Sequence, residues 1–178
     1  MDTLAGSRGR RSAWRPRAAI LGSLTLPGEP QQVSRARGFV ARTLASAGLP
    51  GVDSDAATLL TSELVTNAIV HTDSGKPGRT VTVVVLGLPG GALVEVLDDG
   101  SASTPVVKGD PFAGEGQGLF LVQQMAAQWG YLRGQGGTTV WFHLAAASCE
   151  FAERPGGQVP AAATMAAQIA ASSSSLVT

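Results

Sequence analysis

Hydrophobic residues recur at helical spacing in the first half of the chain. Over residues 31–47 the apolar positions lie three or four residues apart, as on one face of an α-helix, and a glycine and a proline follow as stop signals. A second helix is predicted from a cap at Asp53 or Ser54 to His71. Its apolar face, spaced in the same way, predicts burial against a core.

Runs of β-branched and apolar residues predict the strands. Residues 19–26 predict a short first strand, and residues 79–88 and 91–100 predict an antiparallel hairpin. A third helix is predicted over residues 117–130, with Trp129 on its buried face, and two more strands follow around a Gly-rich turn. The order β-α-α-β-β-α-β-β predicts an α+β fold, a two-layer sandwich with the helices on one face of a mixed, mostly antiparallel sheet.

The two ends of the chain differ in composition from the region between them. Residues 1–19 form a basic tail, residues 20–145 carry the predicted elements, and residues 146–178 are rich in Ala and Ser. The last segment is expected to be disordered, although "AAATMAAQIAA" could form a marginal helix. The arginine pair near the N-terminus could mark an export signal, but the apolar stretch behind it is short and breaks at Gly22. A flexible tail is therefore the preferred interpretation.

Composition narrows the class of protein. The chain has 178 residues, 44% of them hydrophobic, which is enough for one domain with a sizeable core. Its formal net charge is zero, which removes the global electrostatic argument for direct binding to nucleic acid or to an anionic membrane. The single cysteine, Cys149, excludes an intramolecular disulfide and fits a cytoplasmic location. No apolar run reaches the length of a membrane span of about 18 residues.

Three polar residues at steps of four lie in the second predicted helix: Glu63, Asn67 and His71. Steps of four place side chains on one helical face, where burial without partners is unfavourable. An exposed helix face is the default interpretation of any one of them. A helical zinc motif needs two histidines four residues apart, so zinc is not expected. A carboxylate beside an amide oxygen instead suits Mg²⁺ and an activated water or hydroxyl.

Glycines accompany two further candidate positions. Asp98 and Gly100 end the second strand of the predicted hairpin, where a carboxylate can bind a ligand or simply form a β-turn. Gly116 and Gly118 precede the third helix, where glycines allow a phosphate to approach the helix N-terminus closely. A flexible loop is the alternative. The chain has no GxxxxGK[ST] motif, and this Gly cluster follows a Pro-containing loop, unlike the Rossmann fingerprint.

The order of these motifs is more specific than any one of them. Four motifs follow one another along the chain. They are the helix "SELVTNAIVH", a strand that ends in Asp-x-Gly, Gly-x-Gly-Leu at the start of a helix, and the strand "GGTTVWFHL", which Thr138 or Thr139 opens. This combination closely resembles the ATP-binding fold of the histidine-kinase-like (Bergerat, or GHKL) ATPases. Within that superfamily the chain is similar to the anti-sigma factor/serine-protein kinase branch. The resemblance covers roughly residues 24–144.

The resemblance implies roles for the helix and strand-end residues. Asn67 would bind the Mg²⁺ that bridges the ATP phosphates, and Glu63 would be the base that activates a substrate serine. Asp98 would accept a hydrogen bond from the adenine amino group, and Gly100 would give the base room. His71, one turn beyond the Mg²⁺ ligand, could point toward the phosphates, and a surface imidazole is an equally good interpretation.

Further roles follow from the same resemblance. Gly116, Gly118 and Leu119 would hold the phosphates and begin the helix behind them, and Thr139 would support the adenine-binding aspartate. There is one departure from the family pattern: Ala102 stands where the adenine box often has its last glycine. In addition, Lys108 is the only cation of the short lid.

By resemblance, the function expected is that of an ATP-binding anti-sigma factor with serine/threonine-protein kinase activity. Its partners would be a sigma factor and an anti-sigma antagonist, and it could form a homodimer. A sensor histidine kinase is not expected, because there is no room for a dimerisation helix with a phosphoacceptor histidine. The alternative is a nucleotide-gated protein-binding module without kinase activity. A nucleotide-free scaffold is the least favoured hypothesis.

Overall fold

The computed structural model describes residues 18–101, 117–134 and 136–147, which hold five strands and three α-helices. They are β1 (Ala19–Pro27), α1 (Val33–Ala47), α2 (Ser54–His71), β2 (Thr80–Leu88), β3 (Gly91–Asp98), α3 (Gln117–Met125), β4 (Gln128–Gly134) and β5 (Gly137–Ala145). This order is the one that the sequence predicts. The predicted tails lie almost entirely outside the described residues, as do Ala102, Lys108 and Gly116.

The strands form one sheet in the order β1-β2-β3-β5-β4. All four pairings within it are antiparallel, so the described sheet contains no parallel pair. The α+β class and the antiparallel hairpin of β2 and β3 are confirmed. In the central pairing Asp98 lies opposite Thr138, which brings the end of β3 beside the start of β5.

Local signals set the helix boundaries. The side chain of Asp53 accepts a hydrogen bond of 2.9 Å from the backbone N–H of Ala56, which caps α2 at the predicted position. α1 ends at Gly48, whose φ of 59° lies in the left-handed region that favours glycine. The periodic apolar residues of α2 are all buried: Ala56, Leu60, Leu64 and Ala68.

The main core lies between the helices and one face of the sheet. Leu60 of α2 is fully buried there, together with Val94 of β3 and Phe142 of β5. Burying one such side chain stabilises the fold by about 1.5–3 kcal/mol. The helices are thus held on a single face, as predicted. No helix within the described ranges is long and apolar enough to cross a membrane.

The third helix is shorter than predicted. It ends at Met125, and the last helical hydrogen bond is donated by the N–H of Ala126. The N–H of Ala127 already donates to the carbonyl of His143, and Trp129 lies in β4 opposite Phe142. The prediction of a helix up to residue 130 is wrong, because backbone pairing with β5 draws residues 128–130 into a strand. The indole reaches the same core from the sheet.

Candidate nucleotide-binding site

α2 carries the polar stripe along the side that faces α3. Glu63 and Asn67 are both half-buried in the middle of the helix. His71 is the last residue of α2 and is exposed. The structure therefore separates the stripe into an enclosed pair and a surface imidazole.

Gly118, in the first turn of α3, lies directly on this pair. A methyl group on Gly118 would lie 2.8 Å from Oε2 of Glu63 and 3.0 Å from Nδ2 of Asn67. Real side chains do not approach so closely, so any residue larger than glycine would displace the ends of the Glu63 and Asn67 side chains. Leu119 is buried in the core and anchors the turn. The structure thus brings together Glu63, Asn67 and the N-terminal turn of α3, where backbone N–H groups lack helical partners.

Asp98 ends β3 with a carboxylate that is 9% exposed. Its Oδ1 accepts a hydrogen bond of 2.6 Å from the backbone N–H of Gly100, and the backbone N–H of Thr138 also donates to it. Burial raises the pKa of Asp98 above its ordinary value, and these two N–H groups partly offset that rise. The carboxylate is therefore fixed in orientation at the end of the strand.

Gly100 follows with a φ of 78°, in the left-handed region. A methyl group there would lie 3.2 Å from the Cα of Gly137, at the start of β5. Two strand ends meet at this point without side chains between them, and the backbone stays accessible beside Asp98.

The end of α2 is joined to the end of β3 by two hydrogen bonds. The N–H of Asp73 donates to the carbonyl of Gly100 at 2.8 Å. The N–H of Asp99 donates to Oγ of Ser74, also at 2.8 Å, and Ser74 is fully buried. These bonds fix the polar face of α2 relative to Asp98. Sequence reasoning missed Ser74, because "TDSG" has the composition of an ordinary turn.

A cleft of about 460 Å³ opens at this joint, and Asp73, Gly100, Arg133 and Thr138 are among the residues that line it. The guanidinium of Arg133 donates to the carbonyl of Ser101 at 3.4 Å. Its positive charge lowers the pKa of Asp98 slightly. Sequence reasoning named only Lys108 as a cation near the site, and Arg133 is a second one. Nothing in "YLRG" distinguishes it from an ordinary strand residue.

A family model described as the histidine kinase-like ATPase domain matches residues 26–144. The chain belongs to this family. The resemblance seen in its sequence is thereby confirmed, and the family's description as an ATPase supports ATP binding at the level of the domain.

A solved structure has a similar fold to this histidine kinase-like ATPase: the RsbU and RsbW domains of Rv1364c from Mycobacterium tuberculosis. The TM-score is 0.52 at 20% sequence identity, and the match covers 73% of this chain and 32% of that one. The chain thus spans about a third of the solved protein. At this identity the likeness concerns the fold alone. A search among curated protein sequences gave no match.

Thr139 does not lie beside Asp98. Side chains alternate along a strand, and Thr139 pairs with Leu97 on the sheet face that the helices do not cover. Thr138 lies opposite Asp98 instead and donates its backbone N–H to the carboxylate. The backbone of Thr138 thus supports the Asp98 carboxylate, and a role of Thr139 in supporting it stays a prediction.

Proposed function

We propose that the protein binds ATP with Mg²⁺ and transfers the γ-phosphoryl group to a serine or threonine of a protein partner. Family membership supports the nucleotide. The observation that carries the proposal is the contact of Gly118 with both Glu63 and Asn67, because it brings a carboxylate, a side-chain amide and a helix N-terminus together. These are the groups that phosphoryl transfer requires for a base, a metal ligand and a phosphate cradle.

The donor set fits a hard cation. Asn67 offers an amide oxygen, and no group of three His, Cys, Asp or Glu side chains in the described part of the chain is arranged to hold a metal ion. In the proposed site Asn67 would hold Mg²⁺, with the ATP phosphates and water as its other ligands. Bound there, the ion would supply neutralisation of the phosphate charge. The first turn of α3 at Gly118 would bind the same phosphates through backbone N–H groups.

Asp98 is proposed to bind adenine. Its carboxylate is held by Gly100 and Thr138, which both line the cleft, and a fixed, desolvated acceptor suits the amino group of a flat base. Gly100 and Gly137 leave the backbone bare where such a base would lie. Arg133 and Thr138, which also line the cleft, are expected to contact the nucleotide.

Glu63 is proposed as the general base. The serine Oγ bonds to the γ-phosphorus while the bond from that phosphorus to the bridging oxygen breaks, and ADP leaves. Glu63 takes the hydroxyl proton and orients the attacking oxygen. Its half-buried position beside the N-terminal turn of α3 supports this role, because the base must lie close to both hydroxyl and phosphate.

The proposed partners are an anti-sigma antagonist, as the phosphoacceptor, and a sigma factor, in the cytoplasm. The similar solved structure includes an RsbW domain, which supports placing the chain in this branch. A homodimer is also part of the proposal.

The test is transfer from γ-labelled ATP to purified candidate antagonist proteins. Glu63→Gln should reduce transfer by about 10²–10⁴-fold while ATP binding is retained. Glu29→Gln, an exposed acid before α1, is the matched control and should leave both unchanged. Full transfer by Glu63→Gln would refute the base assignment. ATP binding by the wild type with transfer to none of the antagonists would favour the nucleotide-gated module.

A further inference from the structure

The second face of the sheet is buried, although the helices pack on the first. Leu93 and Glu95 of β3 are 0% exposed and Trp141 of β5 is 4% exposed. They point away from the helices, and with Val84 and Leu86 of β2 they line an outer face whose apolar members form a separate cluster. A sheet face open to water leaves its side chains partly exposed. The burial of this outer face therefore requires a cover that α1, α2 and α3 do not supply.

The outer face of the sheet is flat where two aromatic rings, those of Trp141 and His143, pack over glycines. A methyl group on Gly130 would lie 2.8 Å from Cζ2 of Trp141, and one on Gly91 would lie 2.6 Å from Nε2 of His143. Both rings therefore pack against the backbone of glycines in the neighbouring strands. A flat surface of this kind suits an extended segment that crosses it.

The buried carboxylate of Glu95 determines which kind of side chain the segment that covers the outer face should carry. Neither carboxylate oxygen has a hydrogen-bond partner, and burial raises the pKa of Glu95 to about 8. Its partners across the sheet, Val84 and Trp141, carry no charge. Burial also lowers the pKa of His143, whose imidazole lies on the same face. Buried carboxylates are otherwise found with a cation or a hydrogen-bond donor, so the cover should carry one.

The chain enters the sheet from this outer face. Ala18, the residue before β1, packs on the outer cluster. The segment before it, residues 1–17, contains five arginines, one tryptophan and a single acid, Asp2. An arginine-rich segment with an aromatic residue matches a face that combines apolar surface with an unpaired carboxylate.

The other end of the chain leaves in a different direction. The N–H of Ala147 donates to the carbonyl of Gly51, in the connection between α1 and α2. Leu49 and Val52 of that connection pack on the helix-side core. The sequence of residues 148–178 holds two glutamates and one arginine, which does not complement Glu95.

We propose that residues 8–17 lie across the outer face of the sheet and that an arginine of this segment pairs with the carboxylate of Glu95. Glu95 pairs with Val84, which pairs with Ser23, five residues beyond Ala18. The Cα of Ala18 therefore lies about 20 Å from that of Glu95. An extended chain covers about 3.3 Å per residue, so Arg10 and Arg11 reach the carboxylate. This inference is independent of the proposed kinase function.

A double-mutant cycle on the full chain tests the pairing. Arg10→Gln with Arg11→Gln should lower the Tm by about 5–10 °C, because a buried carboxylate loses its cation. In a Glu95→Gln background the same two changes should shift the Tm by less than about 2 °C. Arg37→Gln with Arg42→Gln, on the exposed side of α1, is the matched control. Equal shifts in both backgrounds, or no shift in either, would overturn the proposal.

NMR on the wild-type chain gives a second measurement that does not depend on a variant folding. Nuclear Overhauser effects are expected from the Leu93 methyl groups to residues 8–17. Replacing both Arg10 and Arg11 by Gln should raise the pKa of Glu95, because the carboxylate loses the cation that favours its charged form. Contacts of Leu93 only with residues 148–178, or only with a second copy of the chain, would contradict the proposal, as would a pKa that the arginine changes do not move.

Discussion

Gly118 of α3 lies so close to Glu63 of α2 that a methyl group on the glycine would be 2.8 Å from a carboxylate oxygen. Two residues that are 55 positions apart in sequence thus bring their helices together at one position without a side chain. The polar face of α2 and the N-terminal turn of α3 become a single surface at this contact.

Gly118→Ala is expected to damage the site. The added methyl group also falls 3.0 Å from Asn67, and overpacking of this kind costs about 1–3 kcal/mol and displaces the two polar side chains. ATP affinity, measured by calorimetry, should fall together with the Tm. Gly38→Ala, in α1, is the matched control, because its methyl group would meet only the flexible end of Arg42. That control should leave ATP affinity unchanged and stabilise the fold by about 0.5–1 kcal/mol.

Asp98→Asn should weaken ATP binding by about 10- to 100-fold, because a fixed charged acceptor is replaced by a neutral amide. The loss should be smaller for a nucleotide whose base lacks the exocyclic amino group. Asp55→Asn is the control, since Asp55 is exposed in the first turn of α2. Equal ATP affinities for wild type and Asp98→Asn would refute adenine recognition by this residue.

Stability should depend on pH through Asp98. Burial raises its pKa above 3.8, so the folded protein holds this proton more tightly than the unfolded chain. The free energy of unfolding contributed by Asp98 should therefore decrease as pH rises from about 3.8 through the raised value, and level off above it. Urea unfolding of wild type and Asp98→Asn over a pH series isolates this effect as a difference. A difference that is constant with pH, or that changes in the opposite direction, would contradict the assignment.

Ser74→Ala should destabilise the joint between α2 and β3 by about 1–3 kcal/mol, because the N–H of Asp99 loses its buried acceptor. Urea unfolding measures the loss, and Ser46→Ala on the exposed side of α1 provides the comparison. If Ser74 only fills space, the two changes should have similar small effects.

Most of the fold can be predicted from periodicity and caps. The boundaries of α2 follow from the Asp53 cap and the apolar spacing, and the β2–β3 hairpin follows from its β-branched runs. The end of α3 could not be predicted, because residues 126–130 carry a helical apolar spacing that pairing with β5 overrides. The competition between a longer α3 and pairing with β5 depends on residues distant in sequence, so the local sequence does not show it.

The candidate site is predictable only in part. Its residue types, Glu63, Asn67 and Asp98, stand out as polar groups at unusual places in apolar elements. The choice between Thr138 and Thr139 depends on the register of β5 against β3, where a shift of one residue reverses the face. Long-range pairing sets that register, so the sequence alone leaves the two threonines equivalent.

The proposed site is tested most directly by calorimetry of ATP binding. The affinities of the wild type and of Asn67→Ala are each measured with Mg²⁺ and with a chelator. Thr66→Ala, on the exposed position next to Asn67, is the control. The wild type and the control should bind ATP more tightly with Mg²⁺ than with the chelator, and Asn67→Ala should lose that difference. Failure of the wild type to bind ATP, or an undiminished Mg²⁺ dependence in Asn67→Ala, would contradict the proposed ATP·Mg²⁺ site.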